Sequence, residues 1–229
     1  MIKSIKKTWP MLFAAIFLIA GCSEAGNDGG DSAGASDPTE VEFGEAAATA
    51  SAASSAVASE NTTVSTNLGY FSLVGAFAST VDSWDGQDGT YTYAGSTYTV
   101  SSSDNRWSWT FTYNEGTETT TASYVIERTS SGWSYEYRIN DAVWFEGTTS
   151  ADGLTGSMTY YDYTTRERVA SYDWEPASSS AFYLTYTITS YSDGSASSSF
   201  TISTSQDGSS GEWSSDTDSD GTADDSGTW

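Results

Sequence analysis

The chain has 229 residues, enough for one domain with appendages. The three lysines all lie in the first seven residues, so that beyond Gly21 five arginines face 31 acidic residues, a net charge of −26. This charge argues against nucleic-acid binding, which needs a cationic surface, and against lying flat on anionic lipid. With no histidine and a single cysteine, histidine-dependent triads, cysteine or histidine zinc sites and disulfides are excluded. Carboxylate chemistry and all-oxygen metal sites remain.

Residues 1–21 have the pattern of a secretory signal peptide. Lysines are followed by a short apolar run from Met11 to Ala20, whereas a membrane-spanning helix needs about 20 apolar residues. The run ends in Ile19-Ala20-Gly21-Cys22. This ending resembles the lipobox of bacterial lipoproteins, in which the cysteine becomes the acylated N-terminus. The resemblance implies acyl chains such as palmitate on Cys22 as the membrane contact. The alternative is an ordinary signal peptide with an incidental thiol.

Residues 22–36 contain Gly, Ser, Asp and Ala and no large apolar side chain, which predicts a flexible tether spanning about 20 Å. In the lipoproteins that the motif resembles, the residue after the acylated cysteine directs sorting. Ser23 at this position, rather than Asp, implies the outer membrane. The domain would then face the periplasm or the cell surface.

Two helices are predicted before the strands. Residues 37–64 are rich in alanine, and Asp37, Pro38 and Glu40 suit a helix start. The apolar face is thin, so this segment is predicted to be an exposed stalk or a partly formed helix. A second helix is predicted over residues 66–83, because apolar residues recur there at steps of three and four. These residues are Leu68, Phe71, Val74, Phe77, Ala78 and Val81.

From Thr90 onward the hydrophobic period is two, which is typical of half-buried strands. Aromatic or aliphatic residues alternate with polar ones in three segments, namely 107–113, 133–139 and 182–188. Turns such as Asn114-Glu115-Gly116, Asp152-Gly153 and Asp193-Gly194 separate them. About ten strands follow one another without a helical crossover. Residues 65–229 are therefore predicted to be mainly β, an antiparallel meander forming an open twisted sheet or a partial barrel, with one or two N-terminal helices.

A pattern recurs at a spacing of 55 residues. Asp152-Gly153-Leu154-Thr155-Gly156, which runs on to Trp174, has its counterpart in Asp207-Gly208-Ser209-Ser210-Gly211, which runs on to Trp229. The units, at about 143–174 and 198–229, resemble the Gly-aromatic hairpins of MORN-type repeats. The resemblance implies stacked hairpins and no particular activity.

An acidic stretch near the C-terminus carries the sharpest local motif. Hard oxygens suitable for calcium fall at relative positions 1, 3, 5, 7 and 9 of a loop with Gly221 at position 6. These ligands are Asp216, Asp218, Asp220, the carbonyl of Thr222 and Asp224. The stretch resembles the start of an EF-hand or thrombospondin-type loop. Because position 12 is Gly227 and no helix flanks the loop, a hairpin turn between Trp213 and Trp229 is favoured over a calcium site.

Nine tryptophans and fifteen tyrosines suggest a surface that stacks on sugar rings, with Trp107, Trp109, Trp133 and Trp144 as candidates. Alternation places most aromatics on one face, which favours a core role. Carboxylates in predicted strands invite a glycosidase interpretation, but pairing with Arg128 and Arg138 or exposure to solvent is favoured. These carboxylates are Glu127, Glu136 and Glu146.

Together the patterns predict a membrane-anchored lipoprotein with a non-catalytic binding or structural β domain at the cell envelope. Its partner would be a glycan, a lipid or a protein, and no nucleic acid or cofactor is expected apart from the calcium alternative. One alternative function is a carrier or receptor for a lipid or other apolar ligand, similar in outline to the outer-membrane receptor of the lipoprotein-sorting pathway. Another is a carbohydrate-binding surface module. An enzyme is disfavoured because the usual nucleophiles and bases are absent.

Overall fold

The computed structural model describes residues 43–58, 61–69, 71, 88–93, 96–103, 105–115, 118–162 and 164–229. The predicted signal peptide, Cys22, the tether, the helix start at Asp37 and the C-terminal part of the second predicted helix lie outside these residues. Among the described residues, neither helix combines the length and the apolar character needed to cross a membrane.

One antiparallel sheet dominates the described part of the chain, and each of its twelve strands pairs with its neighbours in sequence. The sheet is not closed, so the predicted mainly β, open meander with N-terminal helices is confirmed. The strands are β1 (Gly89–Tyr93), β2 (Ser96–Ser103), β3 (Arg106–Glu115), β4 (Glu118–Arg128), β5 (Gly132–Ile139), β6 (Ala142–Ser150), β7 (Gly156–Tyr161), β8 (Arg168–Pro176), β9 (Leu184–Ser192), β10 (Ser195–Thr204), β11 (Gly211–Asp216) and β12 (Asp225–Thr228).

The predicted strands at 107–113 and 133–139 lie within β3 and β5. The third predicted strand begins two residues late, because Phe182 belongs to a turn in which its N–H donates to the Ser179 carbonyl at 3.1 Å. The count of about ten strands was too low. β12, for example, has four residues and no large apolar side chain, so no hydrophobic alternation marks it.

The two faces of the sheet differ in polarity. In one row of the pleat Tyr172 lies opposite Ile188, which in turn lies opposite Phe200. All three are at least nine-tenths buried. The next pair along β8 and β9 is Asp173 opposite Thr187, whose side chains lie on the other face of the sheet. The alternation thus gathers the core on one face and leaves hydroxyl and acidic side chains on the other.

In the described part of the chain, two hairpins have two-residue turns in which both residues have positive φ. The β9–β10 turn is Asp193-Gly194, with φ of 51° and 78°, where the sequence predicted a turn. The β5–β6 turn is Asn140-Asp141, with φ of 47° and 65°. Positive φ at both central residues is the geometry whose twist matches paired strands, and Asn, Asp and Gly tolerate it best.

The Asp152-Gly153 turn between β6 and β7 is built from a compact set of hydrogen bonds. Asp152 Oδ1 accepts the Ser150 hydroxyl at 2.5 Å and the Leu154 N–H at 3.1 Å. These two bonds, with the Ser150 bond the stronger, lower the pKa of the Asp152 carboxyl. The Trp174 indole N–H donates to the Gly153 carbonyl at 3.0 Å and so ties the turn to β8.

The turn between β10 and β11 uses the corresponding groups 55 residues later. Asp207 Oδ1 accepts the Ser205 hydroxyl at 2.8 Å and the Ser209 N–H at 3.1 Å. The Trp229 indole N–H donates to the Gly208 carbonyl at 3.1 Å. The two turns therefore share one hydrogen-bonding scheme, each closed by a tryptophan 21 residues after the glycine.

Glycines in these hairpins make room for aromatic rings on the neighbouring strand. A Cβ on Gly156 would lie 2.2 Å from the Trp174 ring, and one on Gly211 would lie 2.1 Å from the Trp229 ring. Likewise, a Cβ on Gly147 would come within 2.5 Å of the Tyr135 hydroxyl. Only glycine permits these close cross-strand contacts between backbone and ring.

Helix α1 (Phe43–Val57) packs on the apolar face of the sheet. Its buried residues are Ala46, Ala47, Ala50, Ala53 and Val57. The Tyr186 hydroxyl donates to the Ala46 carbonyl at 2.7 Å, and a Cβ on Gly208 would lie 2.4 Å from the Ala53 nitrogen. The expected exposed stalk or partly formed helix is therefore wrong for residues 43–57, because the small alanine side chains let the helix backbone come close to the sheet.

Helix α2 comprises residues 62–69 and 71 of the described chain. It begins four residues before the predicted start, because the Asn61 side-chain oxygen accepts the N–H groups of Thr63 at 3.0 Å and Val64 at 3.1 Å. This is an N-cap. The Ser54 hydroxyl donates to the Ser65 carbonyl at 2.9 Å and so links the two helices.

The apolar stripe of α2 faces the sheet as predicted for its first part. Leu68 and Phe71 are buried, whereas the rest of the predicted stripe lies outside the described residues. The Phe71 ring meets Tyr172, Trp174 and Tyr186 edge-on, with centroids 5.3, 6.0 and 4.7 Å away. The described part of α2 therefore covers β8 and β9.

Candidate functional site

The four tryptophans proposed to stack on sugars are mainly core residues. Trp107, Trp109 and Trp133 are 0%, 5% and 4% exposed. Trp144 is partly buried, and its ring lies against Tyr137 at 5.8 Å. In this arrangement the first three rings offer almost no surface to a ligand.

Two of the predicted strand carboxylates, Glu136 and Glu146, form hydrogen bonds with neighbouring side chains. Arg138 donates from Nε and Nη2 to the two oxygens of Glu136 at 2.6 and 2.8 Å, and this bonding raises the pKa of Arg138. Glu146 lies opposite Glu136 and accepts the Tyr161 hydroxyl at 2.6 Å. That bond raises the pKa of Tyr161. The pairing of Glu136 with Arg138 is the arrangement that the sequence favoured over a glycosidase pair.

The acidic loop joins β11 to β12 and spans residues 217–224. One carboxylate oxygen from each of Asp216, Asp218 and Asp224 lies within 4.8 Å of the others. Asp216 Oδ2 accepts the Gly221 N–H at 2.8 Å, and Gly221 has a φ of 87°. The fourth predicted acid, Asp220, is not among these three carboxylates and instead accepts the Thr222 N–H at 2.7 Å. The loop thus gathers three of the four predicted acids.

Further hydrogen bonds keep the ends of the acidic loop together. Thr217 donates both its N–H, at 2.7 Å, and its hydroxyl, at 2.5 Å, to Asp224 Oδ2. These bonds lower the pKa of Asp224, the hydroxyl having the larger effect. Carboxylates that accept backbone N–H groups in this way are also common in turns that bind no ion.

Gly227, at the twelfth position of the predicted calcium loop, has a structural role. It pairs with Trp213 across β11 and β12, and a Cβ there would lie 2.8 Å from the Trp213 indole nitrogen. A carboxylate ligand at this position would displace the indole. The hairpin interpretation therefore accounts for the glycine that the calcium interpretation leaves unexplained.

A groove of about 380 Å³ opens between the start of α2 and the C-terminal strands. Three apolar residues of β9, β10 and β11 contribute to its lining: Ile188, Phe200 and Trp213. The Phe200 and Trp213 rings are stacked, with centroids 5.5 Å apart and planes inclined by 5°. Phe200 is 9% exposed, and Trp213 is only partly buried. The described aromatic residues of the groove therefore form one stack of two nearly parallel rings.

Polar side chains from three parts of the fold complete the groove. The helix side contributes Asn61, Thr63 and Asn67; the strands contribute Ser190, Ser198, Ser199 and Ser215; the acidic loop and its exit contribute Thr217 and Asp225. The lining therefore has two amides, several hydroxyls and one carboxylate, and none of these residues is a cation. Its volume lies near the lower end of the range for small-molecule pockets, about 300 to 1,000 Å³.

Sequence reasoning missed this groove because its parts are distant in the chain. Asn67 of α2 and Trp213 of β11 line the same groove only once the helix has packed on the sheet. The available signals were local: Asn61 before a helical stripe suits an N-cap, and Phe200 and Trp213 alternate with polar neighbours in their strands. None of these local patterns indicates that the side chains share a site.

Comparisons of the chain with protein-family models, with curated proteins and with solved structures gave no match.

Proposed function

We propose that the protein is an acylated lipoprotein of the outer membrane whose β domain is a non-catalytic binding module, with the groove beside Trp213 as its binding site. The observation that carries the proposal is the combination of a partly exposed aromatic stack with a lining of amides and hydroxyls in one groove. Small-molecule sites commonly combine apolar walls with a few polar groups that set orientation.

Anchoring through Cys22 rests on the lipobox and on the organisation of the chain behind it. The tether of residues 22–36 precedes the first described helix, whose alanine face packs on the sheet. The tether gives a reach of about 20 Å. The acidic domain would stay in solvent near the membrane, held by acyl chains and repelled by anionic lipid.

A non-catalytic role is supported by the state of the strand carboxylates. Glu136 is bound at both oxygens by Arg138, and Glu146 is bonded to Tyr161. A general acid or nucleophile has to reach the substrate, whereas these groups already hold one another in place. Among the described residues, the groove is lined by one carboxylate, Asp225, without a second acid to act as its partner.

Membrane fractionation of a bacterial host tests the anchoring half of the proposal. We expect the wild-type protein in the outer-membrane fraction and Cys22→Ser in the soluble fraction, because one change removes the acylation site. Ser23→Asp is the matched control for sorting: the protein should stay membrane-bound and move to the inner membrane. Identical fractionation of wild type and Cys22→Ser would contradict the anchor.

The binding half requires that side chains of the groove control ligand retention. Trp213→Ala and Asn67→Ala should weaken binding of any small ligand that the wild-type protein retains, since both residues line the groove and come from different parts of the fold. Thr112→Ala, at an exposed residue outside the groove, is the control. Equal retention by all three variants and the wild type would exclude the groove as the site.

A further inference from the structure

We infer that the groove takes an uncharged saccharide, an inference that rests on the proposed binding function and specifies its ligand. Three properties of the groove lead to this class of ligand: the flat aromatic stack, the hydrogen-bonding groups around it and the local charge.

The aromatic stack provides a platform that suits a sugar ring. Phe200 and Trp213 are stacked nearly parallel, and because Phe200 is only 9% exposed, the partly buried Trp213 provides the flat face of the platform. The C–H groups on one face of a pyranose carry partial positive charge, and the face of an aromatic ring is the negative end of its quadrupole. A quaternary ammonium ligand would instead be favoured by inclined rings that enclose it on several sides.

The groups around the platform match the hydroxyls of a sugar. Asn67 brings an amide from α2, and Ser190 and Ser215 bring hydroxyls from the sheet. Asn61 and Thr217 also line the groove, but the Asn61 oxygen already accepts two helix N–H groups and the Thr217 hydroxyl already donates to Asp224. Amides and hydroxyls can both donate and accept, as each sugar hydroxyl does. A fatty acyl chain would displace water from the Asn67 amide and from the Ser190 and Ser215 hydroxyls without replacing its hydrogen bonds, which costs free energy.

Charge excludes the acidic members of the same ligand class. Of the described residues that line the groove, none is an arginine or lysine, and Asp225 adds a negative charge. The mature chain as a whole carries a net charge of −26. Sulfated, uronic-acid or phosphorylated glycans would be repelled, most strongly at low ionic strength.

Affinity electrophoresis and a glycan array, both with the full acylated protein in detergent, test the inference. The probes are neutral oligosaccharides and polysaccharides, their sulfated and uronic-acid counterparts, choline and a fluorescent fatty acid. We expect at least one neutral glycan to bind. Trp213→Ala and Asn67→Ala should each weaken that binding by about tenfold or more, whereas Thr112→Ala, at an exposed position outside the groove, should not. Because Asn67→Ala removes only a polar group at a half-buried position, it serves as a second reporter if Trp213→Ala fails to fold.

Two kinds of result would overturn the inference, and they are distinguishable. If choline, the fatty acid or an acidic glycan binds with dependence on Trp213 and Asn67 and no neutral glycan does, the saccharide assignment is wrong while the groove remains a binding site. If no probe binds, or if binding is the same in every variant, the saccharide assignment is also wrong; unchanged binding further excludes the groove as the site.

Discussion

Replacing Trp109 by alanine tests whether the apolar face of the sheet is a packed core. The side chain is 5% exposed and stacks on Tyr124, with centroids 5.7 Å apart and planes inclined by 27°. Truncating a buried aromatic residue to alanine costs about 3 to 5 kcal/mol. The lost stacking with Tyr124 would account for about 0.5 to 1.5 kcal/mol of this. Since domains are stable by about 5 to 15 kcal/mol, the loss is a large part of the whole.

Thermal unfolding followed by circular dichroism measures this loss. For a domain of this size, about 2 to 4 °C of Tm is lost per kcal/mol, so Trp109→Ala should melt about 6 to 20 °C below the wild type. Thr112→Ala is the control on the same strand, because Thr112 is exposed. It should change stability by about 0.5 kcal/mol or less.

Uptake of a fluorescent fatty acid by the same variant distinguishes a core from a lipid cavity. If Trp109 lined an existing cavity, its removal would enlarge empty space at little cost and would impair uptake. A Trp109→Ala protein with wild-type Tm and reduced fatty-acid uptake would therefore refute the packed core and favour the carrier function. A large loss of Tm without specific uptake in the wild type supports the core.

A glycine substitution in β7 and a calcium titration of the acidic loop provide two further tests. Gly156→Ala places a Cβ 2.2 Å from the Trp174 ring and should lower the free energy of unfolding in urea by about 1 to 3 kcal/mol. Gly69→Ala is the control, because no atom lies within 4 Å of its added Cβ, and it should not destabilise the protein. Equal urea midpoints for the two variants would contradict the glycine–aromatic contacts. Calorimetry should show that the acidic loop binds calcium with a dissociation constant of about 1 mM or weaker, because Gly227 supplies no ligand. Tighter binding that is lost in the double variant Asp216→Ala, Asp220→Ala would show that the loop is a true calcium site.

The sheet was predictable because its signal is local and periodic. In β3 and β5 an apolar side chain at every second position specifies both the strand and its buried face. The turn at Asp193-Gly194 was visible for a similar reason, since this pair accepts positive φ at both positions. The edge strand β12 has neither an apolar alternation nor such a turn pair, and it forms by hydrogen bonding to the backbone of β11.

The helices and the groove depend on contacts that no local pattern encodes. A thin alanine face predicted exposure of α1, yet Ala46 and Ala53 are buried because a glycine turn and Tyr186 meet the helix there. The groove likewise joins Asn67 to Trp213, residues far apart in sequence. Such sites arise from tertiary packing, and sequence alone identified only their separate parts.

Mass spectrometry of the mature N-terminus determines whether Cys22 is the acylated membrane anchor. A glutamate-specific protease should release residues 22–24 from the protein purified from bacterial membranes, because Glu24 is the first glutamate after the lipobox. We expect this peptide to begin at Cys22 and to carry two or three acyl chains, since a single chain binds membranes only marginally. An unmodified Cys22, or a chain that still begins at Met1, would contradict the account.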